Sequence, residues 1–239
     1  MNPKNKFKLV IFDFDGTIAD SFDVCYNGIN EIFKARGLKE ITKKEKEKAR
    51  ELSANDILRY FKISSYQIAF IVRKLFRIIE RDFHKVKIFP QIKKILKFLS
   101  KEDLKVIVLT SNIQKNVEPF LEREGIKDFF DDFHYKSGIF SKETVINKLI
   151  KKYQIKKSQT VLVGDEIRDI KATKKSKIKM IGVTWGFNNK KALLKYKPDF
   201  IVKKPEDILE ILINNYPENK KNKPKPKPKK SKPKTKNKK

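Results

Sequence analysis

The sequence predicts an α/β fold, a doubly wound parallel sheet with an inserted α-helical domain. Two observations favour this fold class. After Pro90, short apolar runs alternate with amphipathic segments whose apolar residues recur three and four positions apart. Before Pro90, one apolar run at residues 9–12 is followed only by helical periodicity, from Phe22 to about Lys85. Strands that alternate with helices are typical of a parallel sheet covered on both faces.

The first element is a buried strand over residues 8–13, which ends at two acidic residues. Three amphipathic segments follow it, and the middle one runs over residues 42–62. Ser and Thr are good N-caps because their side chains accept a hydrogen bond from a free backbone N–H. The candidate N-caps here are Ser21, Thr42 and either Ser64 or Ser65. We expect residues 21–86 to form the inserted helical domain.

The second half of the chain supplies the other strands of the sheet. The predicted strands are residues 104–112, 132–135, 160–166, 179–185 and 199–202. The predicted helices are residues 90–100, 114–124, 143–153, 168–177, 189–195 and 205–213. The predicted catalytic core consists of residues 1–20 and 87–216.

The positive charge extends over the whole chain. The formal net charge is +29, from 58 basic and 29 acidic residues. The excess is almost entirely Lys, which fits a bias in composition as well as it fits a surface for nucleic acid. Residues 217–239 hold twelve Lys and one Glu. Their Lys and Pro alternation predicts a disordered tail. Two hypotheses stay open for it: nonspecific binding to nucleic acid or another anionic surface, and a solubilising role.

The composition also excludes several kinds of protein. No apolar run approaches the ~20 residues of a membrane span, so we expect no transmembrane segment. Residues 1–8 lack the apolar segment and cleavage site of a signal peptide. Cys25 is the only cysteine, so an intrachain disulfide and a thiolate zinc site are excluded. We expect a cytoplasmic protein, and the oligomeric state stays open.

Polar residues end three of the predicted strands. They are Asp13 and Asp15 at the end of the first strand, Ser111 and Asn112 at the end of the second, and Gly164 and Asp165 at the end of the fourth, with Asp169 four residues on. The carboxyl ends of parallel strands meet in one crevice, where ligands bind. A cluster of carboxylates without His or Cys suits Mg²⁺. The sequence therefore predicts a Mg²⁺ site for phosphate chemistry at this edge.

Four motifs resemble those of the haloacid dehalogenase superfamily. They are DFDGTIADS at residues 13–21, VLTSN at residues 108–112, a Lys near position 142 and VGDEIRDI at residues 163–170. The inserted helices resemble the C1-type cap of that superfamily, and residues 181–209 are similar to phosphoglycolate-phosphatase-like members. The resemblance implies a Rossmann-like core and a Mg²⁺-dependent phosphoric monoester hydrolase. Its substrate would be a small phosphorylated metabolite such as phosphoglycolate or a sugar phosphate.

The resemblance also implies a role for each motif residue. Asp13 would attack phosphorus and form an aspartyl-phosphate, while Asp15 would act as general acid and then as general base. Ser111 and Lys142 would bind the transferring phosphoryl group. The side chains of Asp13 and Asp165, together with the main-chain carbonyl of Asp15, would hold Mg²⁺. Supporting positions are Gly16, Thr17, Asn112, Gly164 and Asp169.

Some assignments stay open in the sequence. Lys136 is an alternative to Lys142, which we favour because it opens a helical segment at a suitable distance before the fourth motif. In the cap, Arg50 is a candidate substrate contact, although Glu51 stands where relatives commonly have Gly. A phosphomutase would use the same residues. A phosphatase for nucleic-acid ends, recruited by the basic tail, is a further alternative.

Overall fold

The structure is a computed structural model that describes residues 7–135 and 141–213. Its strands, in chain order, are β1 (Leu9–Phe12), β2 (Ala19–Asp20), β3 (Lys87–Ile88), β4 (Lys105–Leu109), β5 (Asp132–His134), β6 (Thr160–Gly164), β7 (Lys179–Val183) and β8 (Phe200–Val202). Six of them form one sheet in the order β5-β4-β1-β6-β7-β8, and every neighbouring pair is parallel. The predicted parallel sheet is confirmed.

Helices cover both faces of the sheet. One layer contains α5 (Ile92–Leu99), α6 (Gln114–Arg123) and α10 (Asp207–Ile213), and the other contains α7 (Lys142–Tyr153), α8 (Ile167–Ser176) and α9 (Lys190–Lys195). Successive side chains of a strand point to opposite faces. Val10 and Phe12 of β1 accordingly pack in the first layer, while Leu9 and Ile11 pack in the second. This double burial explains why β1 is apolar throughout.

Four helices are inserted between β2 and β3. They are α1 (Phe22–Ala35), α2 (Lys43–Ala49), α3 (Ala54–Tyr60) and α4 (Ser65–Asp82). They have a small apolar core of their own, built around Ile32, Phe33, Ile41, Ile71 and Ile78. The short strands β2 and β3 pair antiparallel at the two ends of this insertion. The division into domains at residues 20/21 and 86/87 stays a prediction.

The structure corrects two local expectations. Residues 42–62 are not one continuous helix, because α2 ends before α3 starts and Ser53 accepts a hydrogen bond from the N–H of Asp56. Ser21 precedes α1 but makes no capping hydrogen bond with its side chain. The Thr42 cap is confirmed, since its hydroxyl accepts from the N–H of Glu45.

Several predictions lie outside the described residues. They concern the tail at residues 217–239, residues 1–6 and Lys136. Within the parts of the chain that the structure does describe, no helix is both long and apolar enough to cross a membrane.

Candidate active site

Three buried carboxylates meet at the carboxyl edge of the sheet. Asp13 directly follows β1, and Asp165 directly follows the neighbouring β6. Asp169 lies in the first turn of α8. One oxygen from each of the three carboxylates lies within 4.8 Å of the other two. Like charges this close disfavour one another, so the cluster is suited to a bound cation.

The Asp13 carboxylate has few hydrogen-bond donors. The N–H of Phe14 donates to its Oδ1 over 2.9 Å. The Lys142 ammonium lies 2.8 Å from Oδ2, but off the hydrogen-bonding direction. Oδ2 is therefore buried without an aligned hydrogen bond from any described residue. Burial raises the pKa of Asp13 to about 7, although the charge of Lys142 opposes this rise.

Lys142 connects two of the carboxylates. It is the first residue of α7, and its Nζ donates to Oδ1 of Asp169 over 2.6 Å. Burial lowers the pKa of Lys142, but the charges of Asp13 and Asp169 outweigh burial, so the pKa lies above its ordinary value. The Lys142 side chain is therefore a fixed cation inside the site. The structure brings this predicted residue into contact with Asp13.

Asp169 is held by α8 itself. Its Oδ2 accepts a hydrogen bond from the N–H of Glu166 over 3.0 Å, as in a capping box. A Cβ atom at Gly164 would lie 2.6 Å from this same oxygen. Gly164 therefore leaves the space that the Asp169 carboxylate occupies.

Asp165 is enclosed by donors and by glycines. Thr17 Oγ1 donates to its Oδ1 over 2.9 Å, and the N–H of Phe187 donates to its Oδ2 over 2.6 Å. A Cβ atom would lie 2.3 Å from Oδ2 if placed at Gly16 and 2.2 Å if placed at Gly186. Gly16 also has a φ of +76°, which favours glycine. Burial and the neighbouring acidic residues raise the pKa of Asp165 well above its ordinary value.

Asp15 is positioned by Asn112. The Nδ2 of Asn112 lies 3.2 Å from Oδ1 and 3.1 Å from Oδ2 of Asp15, and it donates to both. The Oδ1 of Asn112 in turn accepts from the N–H of Ile113 and from Nδ2 of Asn116, which fixes the amide orientation. Burial raises the pKa of Asp15, and the Asn112 hydrogen bond opposes the rise.

A cavity of about 650 Å³ opens between the sheet edge and the inserted helices. On the sheet side it is lined by Asp15, Ser111 and Arg168. On the side of the inserted helices it is lined by Cys25, Phe76 and Ile79. The cavity is thus polar next to Asp15 and apolar opposite. This arrangement suits a small molecule that carries one charged end.

The Arg50 side chain points from the inserted helices toward the catalytic part of the chain. Its Nη2 donates to the carbonyl of Gly186 over 2.8 Å, and its guanidinium lies 5.2 Å from the centroid of the Phe22 ring. It lines a second cavity, of about 250 Å³, beside the first. Glu51 does not face this cavity but pairs with Lys191 of α9 over 3.0 Å. A substrate contact of Arg50 stays a prediction.

One buried asparagine joins the break between α2 and α3 to the core. The Nδ2 of Asn188 donates to the carbonyls of Arg50 and Leu52, over 3.1 and 2.9 Å. Its Oδ1 accepts from the N–H of Ile167 at the start of α8. The same loop carries Phe187, whose N–H holds Asp165. This loop therefore contacts the inserted helices and a site carboxylate at once.

Comparison with known proteins agrees with this geometry. Residues 10–183 match the model of the haloacid dehalogenase-like hydrolase family. The chain belongs to this family. A phosphoglycolate phosphatase of Synechococcus elongatus is 29% identical over 201 residues, which cover 84% of this chain and 95% of that protein. A phosphoglycolate phosphatase of Vibrio vulnificus is 26% identical, over 88% and 98% of the two chains.

Solved structures of haloacid dehalogenase-like proteins share the fold. A hydrolase of this type from Streptococcus pneumoniae superposes with a TM-score of 0.75 at 24% identity, covering 86% of this chain and 98% of that one. CbbY from Rhodobacter sphaeroides, solved in complex with phosphate, gives a TM-score of 0.64 at 16% identity, over 82% and 93% of the two chains. At these identities the likeness shows the fold alone.

Within this haloacid dehalogenase-like chain, several site neighbours were missed by sequence reasoning. They are Asn116, Arg168, Gly186, Phe187 and Asn188. Arg168 lies inside the fourth motif, next to Asp169, so its proximity was a usable signal. Gly186, Phe187 and Asn188 lie inside residues 181–209, but the resemblance of that segment assigns none of them a role. Asn116 lies in α6, outside the four motifs.

Proposed function

We propose that this chain is a Mg²⁺-dependent phosphatase that hydrolyses a small phosphomonoester through an aspartyl-phosphate. The observation that carries the proposal is the buried Asp13 Oδ2, which has the Lys142 ammonium 2.8 Å away and no aligned hydrogen bond from the part of the chain that the structure describes. An oxygen without donors keeps its lone pairs for phosphorus or for a cation. Membership of the hydrolase family and the phosphoglycolate phosphatases among its relatives support the same reaction class.

In the first step, Asp13 Oδ2 forms a bond to phosphorus as the bond to the leaving oxygen breaks. Asp15 gives its proton to that oxygen, and its raised pKa favours the protonated form that this needs. Lys142 neutralises charge on the phosphoryl oxygens. Ser111, which lines the same cavity as Asp15, would donate a hydrogen bond to the phosphoryl group.

In the second step, water attacks phosphorus and the bond to Asp13 breaks. The Asp15 carboxylate takes the proton from this water, so each carboxyl group returns to its starting state. Inorganic phosphate then leaves. Asn112 has a positioning role here, because its amide holds both oxygens of Asp15.

The donor set fits Mg²⁺, because it consists of carboxylate oxygens without His or Cys. Asp13, Asp165 and the main-chain carbonyl of Asp15 would hold the ion, and Asp169 would support them. When bound, Mg²⁺ supplies positive charge at the phosphoryl group. Thr17 and the N–H of Phe187 keep Asp165 in place for this role.

We propose a small metabolite as the substrate, of the phosphoglycolate or sugar-phosphate type. The inserted helices act as a cap in this proposal, because Cys25, Phe76 and Ile79 face Asp15 across the cavity. A cavity of about 650 Å³ holds a molecule of this size and leaves little room for a polymer.

A screen of phosphorylated metabolites tests the proposal. Phosphoglycolate, sugar phosphates and an aryl phosphate are incubated with the purified full chain and Mg²⁺, and released phosphate is measured. We expect hydrolysis that a chelator abolishes and added Mg²⁺ restores, with the D13N variant as the blank. Conversion of a sugar phosphate into an isomer without phosphate release would favour the mutase. Turnover that survives chelation, or that D13N retains, would contradict the mechanism.

A further inference from the structure

The two helical layers of the core differ in charge. Helices α7, α8 and α9 contain eleven basic and two acidic residues, a net charge of +9. Helices α5, α6 and α10 contain five basic and four acidic residues, a net charge of +1. A bias in composition alone would give the two layers a similar net charge. The difference therefore points to a property of one face.

The lysines on this face follow the helical repeat. In α7 and again in α8, three exposed Lys stand at positions i, i+3 and i+4, and in α9 two stand at i and i+4. Such residues are neighbours on the helix surface, and like charges at these spacings destabilise the helix. They are Lys148, Lys151 and Lys152, then Lys171, Lys174 and Lys175, then Lys191 and Lys195. We call these eight residues the lysine face.

Ion pairs balance only part of the lysine face. Lys152 pairs with Asp132 over 2.6 Å, and Lys191 pairs with Glu51 over 3.0 Å. Among the described residues, no acidic side chain pairs with Lys151, Lys174 or Lys195. The helix dipole stabilises a basic residue in the last turn of a helix, but it does not remove the repulsion between neighbouring Lys side chains.

The centre of the lysine face lies away from the catalytic crevice. Lys142 opens α7 at the site, and Lys151 lies about 14 Å further along the same helix. Lys174 and Lys195 likewise lie in the last turns of α8 and α9. In this fold the last turns of the helices lie at the edge of the sheet opposite to the strand ends that carry Asp13. A ligand on this face would leave the crevice open.

We propose that the lysine face binds the phosphate backbone of a nucleic-acid duplex without sequence preference. Adjacent helices pack about 8–10 Å apart, so three of them present rows of ammonium groups over about 20 Å. This width suits the repeated phosphates of a duplex better than one small anion. A membrane surface fits less well, because Leu194 is the one large apolar side chain exposed on these three helices in the described structure. Lysine point charges contact phosphates and do not read bases.

Two matched variants of the full chain test the proposal. The first is K151Q/K174Q/K195Q, which removes one Lys from each helix of the lysine face. The control is K94Q/K97Q/K101Q, which removes three exposed Lys from α5 and the turn after it. Both variants lose three charges and keep the tail. Binding to a DNA duplex, an RNA duplex and an anionic vesicle is titrated at several salt concentrations, together with melting temperature and turnover of an aryl phosphate.

We expect the first variant to bind both duplexes at least about tenfold more weakly at low salt. Its slope of log K against log salt should flatten by about 0.9 for each phosphate that the variant no longer neutralises. The control should keep the slope of the wild type, and both variants should keep their melting temperature and turnover. Equal weakening of duplex binding in the two variants would overturn the proposal, since net charge or the tail would then govern binding. Unchanged duplex binding in the first variant, or weakening confined to vesicles, would overturn it as well. Neither result depends on whether the chain is a phosphatase.

Discussion

Two carboxylates of the same sheet, one after the central strand β1 and one in the edge strand β5, have opposite surroundings. Among the described residues, Asp13, after the central strand β1, has one N–H donor and an ammonium group that is not aligned for a hydrogen bond. Asp132, in the edge strand β5, accepts hydrogen bonds from the Phe133 N–H, His134, Lys152 and the Tyr153 hydroxyl. Burial raises the pKa of Asp13 to about 7. At Asp132, burial is outweighed by these hydrogen bonds, which hold the pKa at about 2.

The difference shows how the fold separates structure from chemistry. A carboxylate that is satisfied by four donors is a stable anion and a poor nucleophile. A buried carboxylate with an oxygen left without aligned donors is unfavourable in the folded state, and such groups are concentrated at functional sites. The contrast between Asp13 and Asp132 can be tested by removing donors, carboxylates or their supports.

The largest effect is expected from the site carboxylates themselves. D13N should remove phosphoryl-enzyme formation, a loss of about 10⁴-fold or more in kcat. D15N should slow transfer and hydrolysis by about 10² to 10⁴ each, the usual contribution of general acid–base catalysis. An aryl phosphate with a good leaving group should partly rescue transfer in D15N, because that group leaves without a proton.

The control for this pair is D132N, the same change at the carboxylate that accepts four hydrogen bonds. Its turnover should remain within about threefold of the wild type, because the hydrogen-bond partners of Asp132 in the described structure are not site residues. Single-turnover assays with several aryl phosphates separate the two steps. If D13N and D15N respond alike to every leaving group, the roles given to the two acids are wrong.

The next largest effect concerns the site lysine. K142Q should lower kcat by about 10² to 10³, as is usual when one group that stabilises transition-state charge is removed. K136Q is the matched control, since Lys136 is the alternative that the motif spacing leaves open. We expect K136Q to keep near wild-type kcat. A large loss in K136Q together with a small one in K142Q would reverse the assignment.

A smaller effect should follow from loosening the loop that holds Asp165. N188A removes two hydrogen bonds to the break between α2 and α3 and one to the start of α8. The Phe187 N–H beside it should then hold Asp165 less firmly, so the Mg²⁺ concentration for half-maximal activity should rise about tenfold.

N189A is the matched control for N188A. Asn189 caps α9 through its side chain, which accepts from the N–H of Ala192, and it contacts Arg50 only through its backbone. Removing this cap should lower stability by about 1 kcal/mol without changing the Mg²⁺ dependence. Equal Mg²⁺ dependence in N188A and N189A would show that the loop does not support the metal site.

The sequence predicts the sheet and the site better than it predicts their supports. The strand ends are predictable because the apolar runs end at Phe12, Leu109 and Val163, just before the polar residues of the motifs. The break between α2 and α3 is not, because the helical repeat continues through it and the amide that holds it open comes from Asn188, far along the chain. The strands β2 and β3 have two residues each, too few for an alternation to be recognised.

The smallest expected effect is the pH dependence of the stability that Asp132 contributes. The pKa of Asp132 is about 2 in the folded chain, against about 3.9 in an unfolded one. Between these values the unfolded chain binds more protons, so the stabilisation is complete above about pH 5 and is lost as the pH falls toward 2. Asp132 is partly exposed, and screening by solvent limits the effect to about 1 kcal/mol, or about 2–4 °C in melting temperature.

D132N should therefore melt a few degrees below the wild type at pH 7, and the gap should close as the pH approaches 2. D128N, which removes an exposed Asp nearby, is the control and should run parallel to the wild type. Both variants retain Asp13, Asp165 and Asp169, so the titration of the site cancels in the difference between their melting curves. A constant gap between D132N and wild type over the whole range would mean that Asp132 contributes by packing rather than by charge. In that case its contrast with Asp13 would not be electrostatic.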